Sequence, residues 1–230
     1  YYVRVTCPVG SGDTRKIYLE ENQLGKYFGT DGIRGIVNKG LDAALAFKVG
    51  QATAMVLSEG LKSDEKPVVT IGKDTRISGD MLEAAITAGL CSAGADVMHL
   101  GVIPTPAVAF ITTECGADAG IVISASHNPY EHNGIKIFNG KGFKLSDDLE
   151  AQIEQLVDSD EPLIEKQNGD IGRILPRGRE CVDKYVEHVV SVAEGKIGKL
   201  KLMIDCSNGA ATRTVNDIFG SFPLDLELIK

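Results

Sequence analysis

The chain has 230 residues, of which 43% are hydrophobic and 24% are charged, an ordinary globular composition that excludes disordered, collagen-like and disulfide-miniprotein classes. Its net charge of −8 argues against nucleic acid or an anionic membrane as a partner, although a local cluster of cations could still bind a small anion. It contains no run of about 18 apolar residues, so no membrane span is predicted.

The cysteines and the first residues indicate where the protein works and where its fold begins. Five scattered cysteines, none in a Cys-x-x-Cys pair, predict neither a zinc site nor a disulfide framework. We therefore expect a reduced, cytoplasmic protein. Residues 1–24 are rich in turn-forming residues and carry no chemical motif, so we treat them as a leader separate from the fold.

From residue 42 onward, helical and strand patterns alternate along the chain. Apolar residues at helical spacing predict helices at Asp42–Ser58, Met81–Ala93, Pro106–Thr113, Asp147–Val157 and Arg179–Val192. Short apolar runs predict strands at Pro67–Gly72, Asp96–Leu100, Asp118–Ser124 and Lys199–Asp205. The alternation predicts an α/β fold in three layers, a largely parallel sheet with helices on both faces. We expect a complete domain at 25–195 and the truncated start of a similar second domain at 196–230, because so short a segment cannot bury its own core.

Three polar, glycine-containing loops lie where chemistry gathers in such sheets, beyond the carboxyl ends of strands. They are KYFGTDGIRG at 26–35, GKDTRISG at 72–79 and SASHNPYEHNGIK at 124–136. Glycine amides together with lysine and arginine suit a phosphate group. Purely structural interpretations of the three loops remain possible. The first could be a tight turn with a surface ion pair, the second a structural Asp74–Arg76 clamp, and the third a generic polar turn.

Cations cluster in and near these loops of an otherwise acidic chain. They are Lys26, Arg34, Lys73, Arg76, His127, Lys136, Lys141 and Lys144. Such a cluster fits a small anionic ligand better than a polyanion. A serine at the end of a buried strand could also be a nucleophile, but Ser126 lacks the flanking glycines of Gly-x-Ser-x-Gly, which makes a serine hydrolase a weak alternative. His132 is expected to be a solvated loop residue.

The loop motifs resemble those of the α-D-phosphohexomutase superfamily. FGTDGIRG at 28–35, IGKDTRISG at 71–79, PTPAV at 104–108 and ISASHNPYEHNGIK at 123–136 occur in the order found in that family, and DCSNGA at 205–210 resembles the beginning of its second domain. The resemblance covers residues 25–211. It implies an enzyme of four domains, the first three α/β, that interconverts 6-phospho and 1-phospho sugars through a phosphoserine.

The same resemblance implies roles for individual residues. Ser126 matches the phosphoserine, whose phosphoryl group would also be a ligand of the Mg²⁺ cofactor, whereas Ser124 looks structural. Lys136 matches a lysine implicated in acid–base catalysis, and Arg34 matches an arginine that faces the active site. His127 and Asn128 match residues beside the phosphate. From their places in the first two loops, Thr30, Lys73 and Arg76 are also expected to bind substrate phosphate.

One feature of the superfamily does not occur in this sequence. Its Asp-Gly-Asp-x-Asp-Arg loop, which carries the other Mg²⁺ ligands, is missing from the 104 residues after Ser126. We therefore expect the front portion of an enzyme, inactive alone, whose full-length form could be a homodimer. FGTDG at 28–32 favours glucosamine 6-phosphate and glucosamine 1-phosphate as the sugar phosphates. A phosphoglucomutase or phosphomannomutase, or a non-catalytic phosphate-binding fragment, is the alternative.

Overall fold

A computed structural model describes residues 25–62, 65–193 and 200–229. The expected leader at 1–24 and the predicted first residue of the last strand, Lys199, lie outside these residues. The strands are β1 Phe28–Gly29, β2 Gly32–Ile36, β3 Val68–Lys73, β4 Asp96–Val102, β5 Ala119–Ile123, β6 His132–Asn139, β7 Lys201–Asp205 and β8 Asp225–Ile229. The helices are α1 Ala43–Ser58, α2 Gly79–Ser92, α3 Thr105–Glu114, α4 Asp147–Asp158, α5 Gly178–Ser191 and α6 Val215–Phe219.

The first six strands form one sheet in the order β1-β2-β6-β5-β3-β4. β3 is parallel to both β4 and β5, whereas β5–β6, β6–β2 and β2–β1 are antiparallel. The expectation of a largely parallel sheet is therefore wrong, although the α/β class is confirmed. The reason is that β2 and β6 carry glycines and polar residues in place of an apolar run, so their sequences were interpreted as loops.

Helices cover both faces of this sheet, which confirms the expected three layers. On one face, Val49 of α1, Leu82 of α2 and Ile153 of α4 pack in a buried core with the isoleucines of β5. On the other face, helices α3 and α5 pack against the alternate residues of the strands, in a second core that contains Val122 and Cys181. Successive residues of a strand face opposite sides, so β3, β4, β5 and β6 contribute to both cores.

Helix ends agree with the sequence where a side chain caps them. The carboxylate of Asp42 accepts a hydrogen bond from the Leu45 N–H at 2.8 Å, so α1 begins where the pattern predicts it. The Ser146 hydroxyl does the same for the Leu149 N–H at 3.4 Å and starts α4. α2 begins at Gly79, two residues before its predicted start at Met81, and Ser78 at the N-cap position makes no capping hydrogen bond through its side chain.

Two cysteines meet on the face covered by α3 and α5. Cys115, at the end of α3, and the buried Cys181 of α5 form a disulfide with their Cα atoms 6.4 Å apart. The sequence predicted a reduced protein without a disulfide framework, and this single pair departs from the expectation of fully reduced cysteines. The two residues are separated by 66 positions in sequence, and only the packing of α3 against α5 brings them together.

The last described residues form a separate small sheet. β7 pairs in parallel with β8, and α6 lies between them in sequence. The predicted strand at 199–205 is confirmed for Lys201–Asp205. Throughout the described residues, every helix is too short or too polar to cross a lipid bilayer.

Candidate functional site at the carboxyl end of β5

Ser126 stands just beyond the most deeply buried strand of the sheet. All five residues of β5 are buried, and the pairing with β6 continues one residue further, because Ser124 N–H donates to the Gly134 carbonyl at 2.9 Å. Two residues later Ser126 is exposed. Its φ of 57° lies in the left-handed region, which is uncommon for a residue other than glycine and turns the chain sharply. The predicted position at a strand end is confirmed.

Ser124 and Ser126 have different surroundings although they are close in sequence. Ser124 is 8% exposed, and its hydroxyl oxygen accepts the Ser126 backbone N–H at 3.1 Å. A buried hydroxyl committed to the backbone is suited to hold a turn. The exposed hydroxyl of Ser126 is the one that a ligand can reach.

Arg34 and Lys136 lie on the same face of the sheet as Ser124. Arg34 is paired with Gly134, and Lys136 lies two residues further along β6. Gly134 permits this close approach, because an added Cβ would lie 2.8 Å from the Ser124 carbonyl oxygen and 3.1 Å from Arg34 Cγ. The expected neighbourhood of cations beside the Ser126 loop thus has a structural basis at these two residues.

Asp31 joins these two cations, a role that sequence reasoning did not assign. One of its carboxylate oxygens, Oδ2, accepts from Lys136 Nζ at 2.7 Å and also from Arg34 Nη2. The available signal was the surface ion pair considered for the first loop, in which Asp31 is the carboxylate. The carboxylate is 55% exposed, so an incoming anion can compete with it for both cations.

Arg76 extends from the second loop into the third. Its Nε donates to Asp74 Oδ2 at 3.0 Å, which is the contact of the structural clamp considered for this loop. Its terminal nitrogens donate to backbone carbonyl oxygens of the loop 126–132. The structure therefore favours the clamp over a direct phosphate contact for this residue.

Lys73 does not join the other cations. By its register with Ile123 it lies on the opposite face of β3, where Nζ forms ion pairs with Asp80 at 2.7 Å and with Glu83. Burial opposes its charge, but the hydrogen bonds to Asp80 and Glu83 outweigh this and raise the pKa of Lys73. Both carboxylates belong to α2, so the contacts of Lys73 are those of a structural residue.

The remaining predicted residues surround Ser126 in part. Thr30 is exposed in the turn between β1 and β2, and His127 is exposed directly after Ser126. Asn128 is half-buried, and its N–H donates to the Ala125 carbonyl at 3.1 Å, which closes the loop. His132 is half-buried rather than solvated, and its buried Nδ1 has no partner among the described residues.

The broader cation cluster is divided between the site and helix α4. Lys26 pairs with Asp158 at 2.7 Å, and Lys144 pairs with Glu150 at 2.9 Å. These partners belong to α4, on the face of the sheet opposite to Lys136. Of the cluster expected from sequence, Arg34 and Lys136 lie on the sheet face of Ser124, and Arg76 and His127 lie at the Ser126 loop. Lys141 follows the far end of β6, which pairs with the start of β5.

The described residues do not assemble a metal site. Nowhere in residues 25–62, 65–193 and 200–229 do three or more histidine, cysteine, aspartate or glutamate side chains group in a way that could hold an ion. Mg²⁺ prefers about six oxygen ligands, and the Asp31 carboxylate is already paired with two cations.

Comparison with known proteins agrees with this geometry. The family described as phosphoglucomutase/phosphomannomutase, alpha/beta/alpha domain I, matches residues 25–163. The chain is 48% identical over 207 residues to a phosphoglucosamine mutase from Moorella thermoacetica and 46% identical over 209 residues to one from Clostridium botulinum, strain Loch Maree. Each match covers 90% of this chain, but the chain spans only 46% and 45% of these relatives.

A solved structure shares the fold. The X-ray structure of a phosphoglucomutase/phosphomannomutase family protein from Burkholderia thailandensis matches 86% of this chain with a TM-score of 0.67 and 28% identity, over 42% of its own length. The matched family region contains the exposed Ser126, the Arg34–Asp31–Lys136 contacts and the Arg76 clamp. The chain belongs to the phosphoglucomutase/phosphomannomutase family, and its residues 25–163 correspond to the α/β/α domain I of that family.

Proposed function

We propose that this chain is the phosphoryl-carrying portion of a phosphosugar mutase and that Ser126 is the residue that carries the phosphoryl group. The observation that carries the proposal is the contrast between the exposed Ser126 and the buried Ser124, beside a sheet face with two cations. A phosphoserine has about −1.5 to −2 charges at neutral pH and needs cations nearby. Arg34 and Lys136 are the cations on that face.

The reaction proposed for Ser126 is a reversible phosphoryl transfer. A hydroxyl of the bound sugar phosphate attacks phosphorus, the bond from phosphorus to Ser126 Oγ breaks, and a sugar bisphosphate forms. The attacking hydroxyl gives up one proton and Ser126 Oγ takes up one as it leaves, and Lys136 assists this exchange. The bisphosphate then presents its other phosphoryl group to Ser126, and the reverse steps restore the phosphoserine and return the proton.

The remaining residues of the proposal bind and orient. Arg34 offers a planar set of donors to phosphoryl oxygens, and its ion pair with Asp31 can exchange for one with the ligand. His127 and Asn128 follow Ser126 in the same loop, and Thr30 lies in the turn between β1 and β2. All three are proposed to contact the phosphate. The family uses a metal cofactor, which we propose to be Mg²⁺; it would offset charge on the transferring group, with one ligand from the phosphoryl group of Ser126.

The substrates proposed are sugar phosphates, specifically glucosamine 6-phosphate and glucosamine 1-phosphate. Relatives of 46–49% identity are named phosphoglucosamine mutase, and this supports the choice over glucose or mannose phosphates. We also propose the domain division at 25–195 and 196–230; the family match begins at residue 25, and the small β7–β8 sheet lies after the proposed boundary.

A chimera tests this function. The C-terminus of the chain would be joined to the part of the Moorella thermoacetica enzyme that has no counterpart in this chain. The chimera would then be incubated with glucose 1,6-bisphosphate. We expect mass spectrometry of the peptides to locate one phosphoryl group on Ser126, and the chimera to interconvert the two glucosamine phosphates. Turnover without phosphate on Ser126, or phosphate on Ser124, would overturn the assignment. Faster turnover of glucose or mannose phosphates would overturn the substrate alone.

A further inference from the structure

Arg76 donates all of its guanidinium hydrogens to protein oxygens. Nε has one N–H and each terminal nitrogen has two. The Nε acceptor is the Asp74 carboxylate, at 3.0 Å. The other four acceptors, at 2.6–3.0 Å, are the backbone carbonyl oxygens of Ser126, Asn128, Pro129 and His132. Five donors thus meet five acceptors, and none is left for a phosphate.

The four carbonyl oxygens belong to one short loop that begins at Ser126. A loop that turns its carbonyls inward loses their contact with water, so each needs a donor from the protein. Arg76 is 10% exposed, which leaves water little access to the same positions. One side chain therefore satisfies most of the inward-facing backbone of this loop.

The loop also holds a conformation that it would not adopt unaided. Ser126 has a φ of 57°, and for a residue with a Cβ this costs free energy unless the surroundings impose it. The Arg76 Nη2 contact to the carbonyl of Ser126 itself, at 3.0 Å, is one such constraint. The Ser124 hydroxyl on the Ser126 N–H, at 3.1 Å, is the other. Ser126 is thus held on both sides.

The base of Arg76 is itself firmly attached to the sheet. Asp74, 12% exposed, accepts the Arg76 backbone N–H at 3.0 Å in addition to Nε. The Asp74 N–H donates to the Ile123 carbonyl at 3.0 Å, which ties the ends of β3 and β5 together. The side-chain amide of the buried Asn133 donates to the Ser78 hydroxyl at 2.9 Å and joins the two loops a second time.

We propose that Arg76 is a positioning residue, which holds Ser126 in its left-handed conformation at the carboxyl end of β5 and does not itself bind phosphate. Its importance for phosphoryl transfer rests on the proposed function of Ser126. Its effect on the backbone of the loop does not, and can be measured in this chain without any turnover.

The test uses the complete 230-residue chain and the variants Arg76→Ala and Arg76→Lys, with Arg177→Ala as the control. Arg177 is an exposed arginine whose nearest carboxylate oxygen, on Glu180, is 3.8 Å away. The readouts are the Cα and Cβ chemical shifts of Ser126, which report its φ, and amide exchange across residues 126–132. In both Arg76 variants we expect the Ser126 shifts to leave left-handed values and exchange to accelerate about tenfold or more. Arg177→Ala should change neither.

Millimolar guanidinium ion should restore the Ser126 shifts in Arg76→Ala, whereas ammonium at the same concentration should not, because only guanidinium offers a planar set of donors. Unchanged Ser126 shifts in both Arg76 variants would overturn the proposal. Fully unchanged Ser126 shifts in Arg76→Lys would also overturn it, because they would show that only the positive charge of Arg76 matters. If Arg76→Ala does not fold, Asp74→Asn is used in its place. Unchanged Ser126 shifts and unchanged amide exchange in both Asp74→Asn and Arg76→Lys would then overturn the proposal. Phosphorylation of Ser126 in the chimera is measured separately and decides the proposed function alone.

Discussion

The hydroxyl oxygen of Ser124 accepts the backbone N–H of Ser126 at 3.1 Å, so one serine supports the turn in which the other is exposed. A strand would direct both side chains to the same face, because alternate residues share a face. The left-handed φ of Ser126 breaks that alternation after the buried Ala125. The two serines of the motif can therefore have separate roles.

Substitution of the two serines separates those roles. In the chimera, Ser126→Ala should abolish phosphoryl incorporation and turnover while leaving the melting temperature within about a degree, because an exposed hydroxyl contributes little to stability. Ser124→Ala should keep most of the activity but lower the free energy of unfolding by about 1 kcal/mol, through loss of a buried hydrogen bond. Peptide mass spectrometry and thermal unfolding measure the two effects. Phosphoryl incorporation that survives in Ser126→Ala would contradict the assignment.

The residues that sequence could predict are those whose role follows from local pattern. Asp42 before an apolar helical stripe predicts the start of α1, and the apolar run before Ser124 predicts β5. β6 could not be predicted in this way: His132–Asn139 begins with turn-forming residues and is extended because it pairs with both β5 and β2. Tertiary pairing overrides the local preference there.

Side-chain contacts between residues distant in sequence could not be predicted from the sequence either. Lys73 and Arg76 are three residues apart in one cationic loop, yet the register of β3 sends Lys73 to the α2 face while Arg76 lies in the loop beyond the strand. Asp31 and Lys136 are 105 residues apart and meet only because β2 and β6 pair. The sequence identifies these polar residues as candidates, but the register of the strands determines which of them are in contact.

Lys73 should be needed for stability rather than for phosphoryl transfer. Its side chain is 13% exposed and that of Glu83 12%, and removing one partner of a buried pair typically costs about 3 kcal/mol. We expect Lys73→Met to lower the free energy of unfolding by about that amount, and Lys73→Met with Glu83→Leu to recover much of it. Urea unfolding of the chain measures both. A loss of phosphorylation without a loss of stability would support the original phosphate-binding expectation.

Asp31 should compete with anions for Arg34 and Lys136. Asp31→Asn removes the charge shared by the two cations, and we expect the dissociation constant for inorganic phosphate to fall severalfold, by about 1 kcal/mol in binding free energy. The effect should shrink as salt is added, since the carboxylate is exposed. Calorimetric titration of the chain measures it. Asp183→Asn, which breaks the exposed pair with Arg179 at 2.9 Å, is the matched control and should leave phosphate affinity unchanged.

Glu154 of α4 anchors the segment that leads into β1. Its carboxylate accepts the backbone N–H groups of Lys26, Tyr27 and Phe28 at 2.6–3.0 Å. Glu154→Ala leaves these donors without their acceptor and should lower the free energy of unfolding by about 2–3 kcal/mol, with Glu154→Gln in between. Chemical denaturation measures this. Glu161→Ala, at an exposed position just after α4, is the control, and an equal loss in that variant would count against the anchor.

The free energy of unfolding should depend on pH in part through the titration of Glu150. Burial raises the pKa of this carboxyl above its ordinary value of 4.5, although the hydrogen bond from Lys144 partly opposes the shift. The folded chain then binds the Glu150 proton more tightly than the unfolded chain does. The contribution of Glu150 to stability is therefore complete below pH 4.5 and is lost as the pH rises through the raised pKa of the folded state.

Glu150→Gln removes this titration, so the free energy of unfolding of the variant minus that of the parent chain should increase as the pH rises from 4.5 through that window. The same substitution removes the main partner of Lys144, whose pKa is raised above 10.5 chiefly by its hydrogen bond to Glu150. That stabilisation is present below pH 10.5 and is lost at higher pH in the parent chain, so the difference between variant and parent should increase again there. Urea unfolding of both proteins from pH 4 upward gives the two curves. Parallel curves across both windows would show that neither group titrates differently in the folded and unfolded chains.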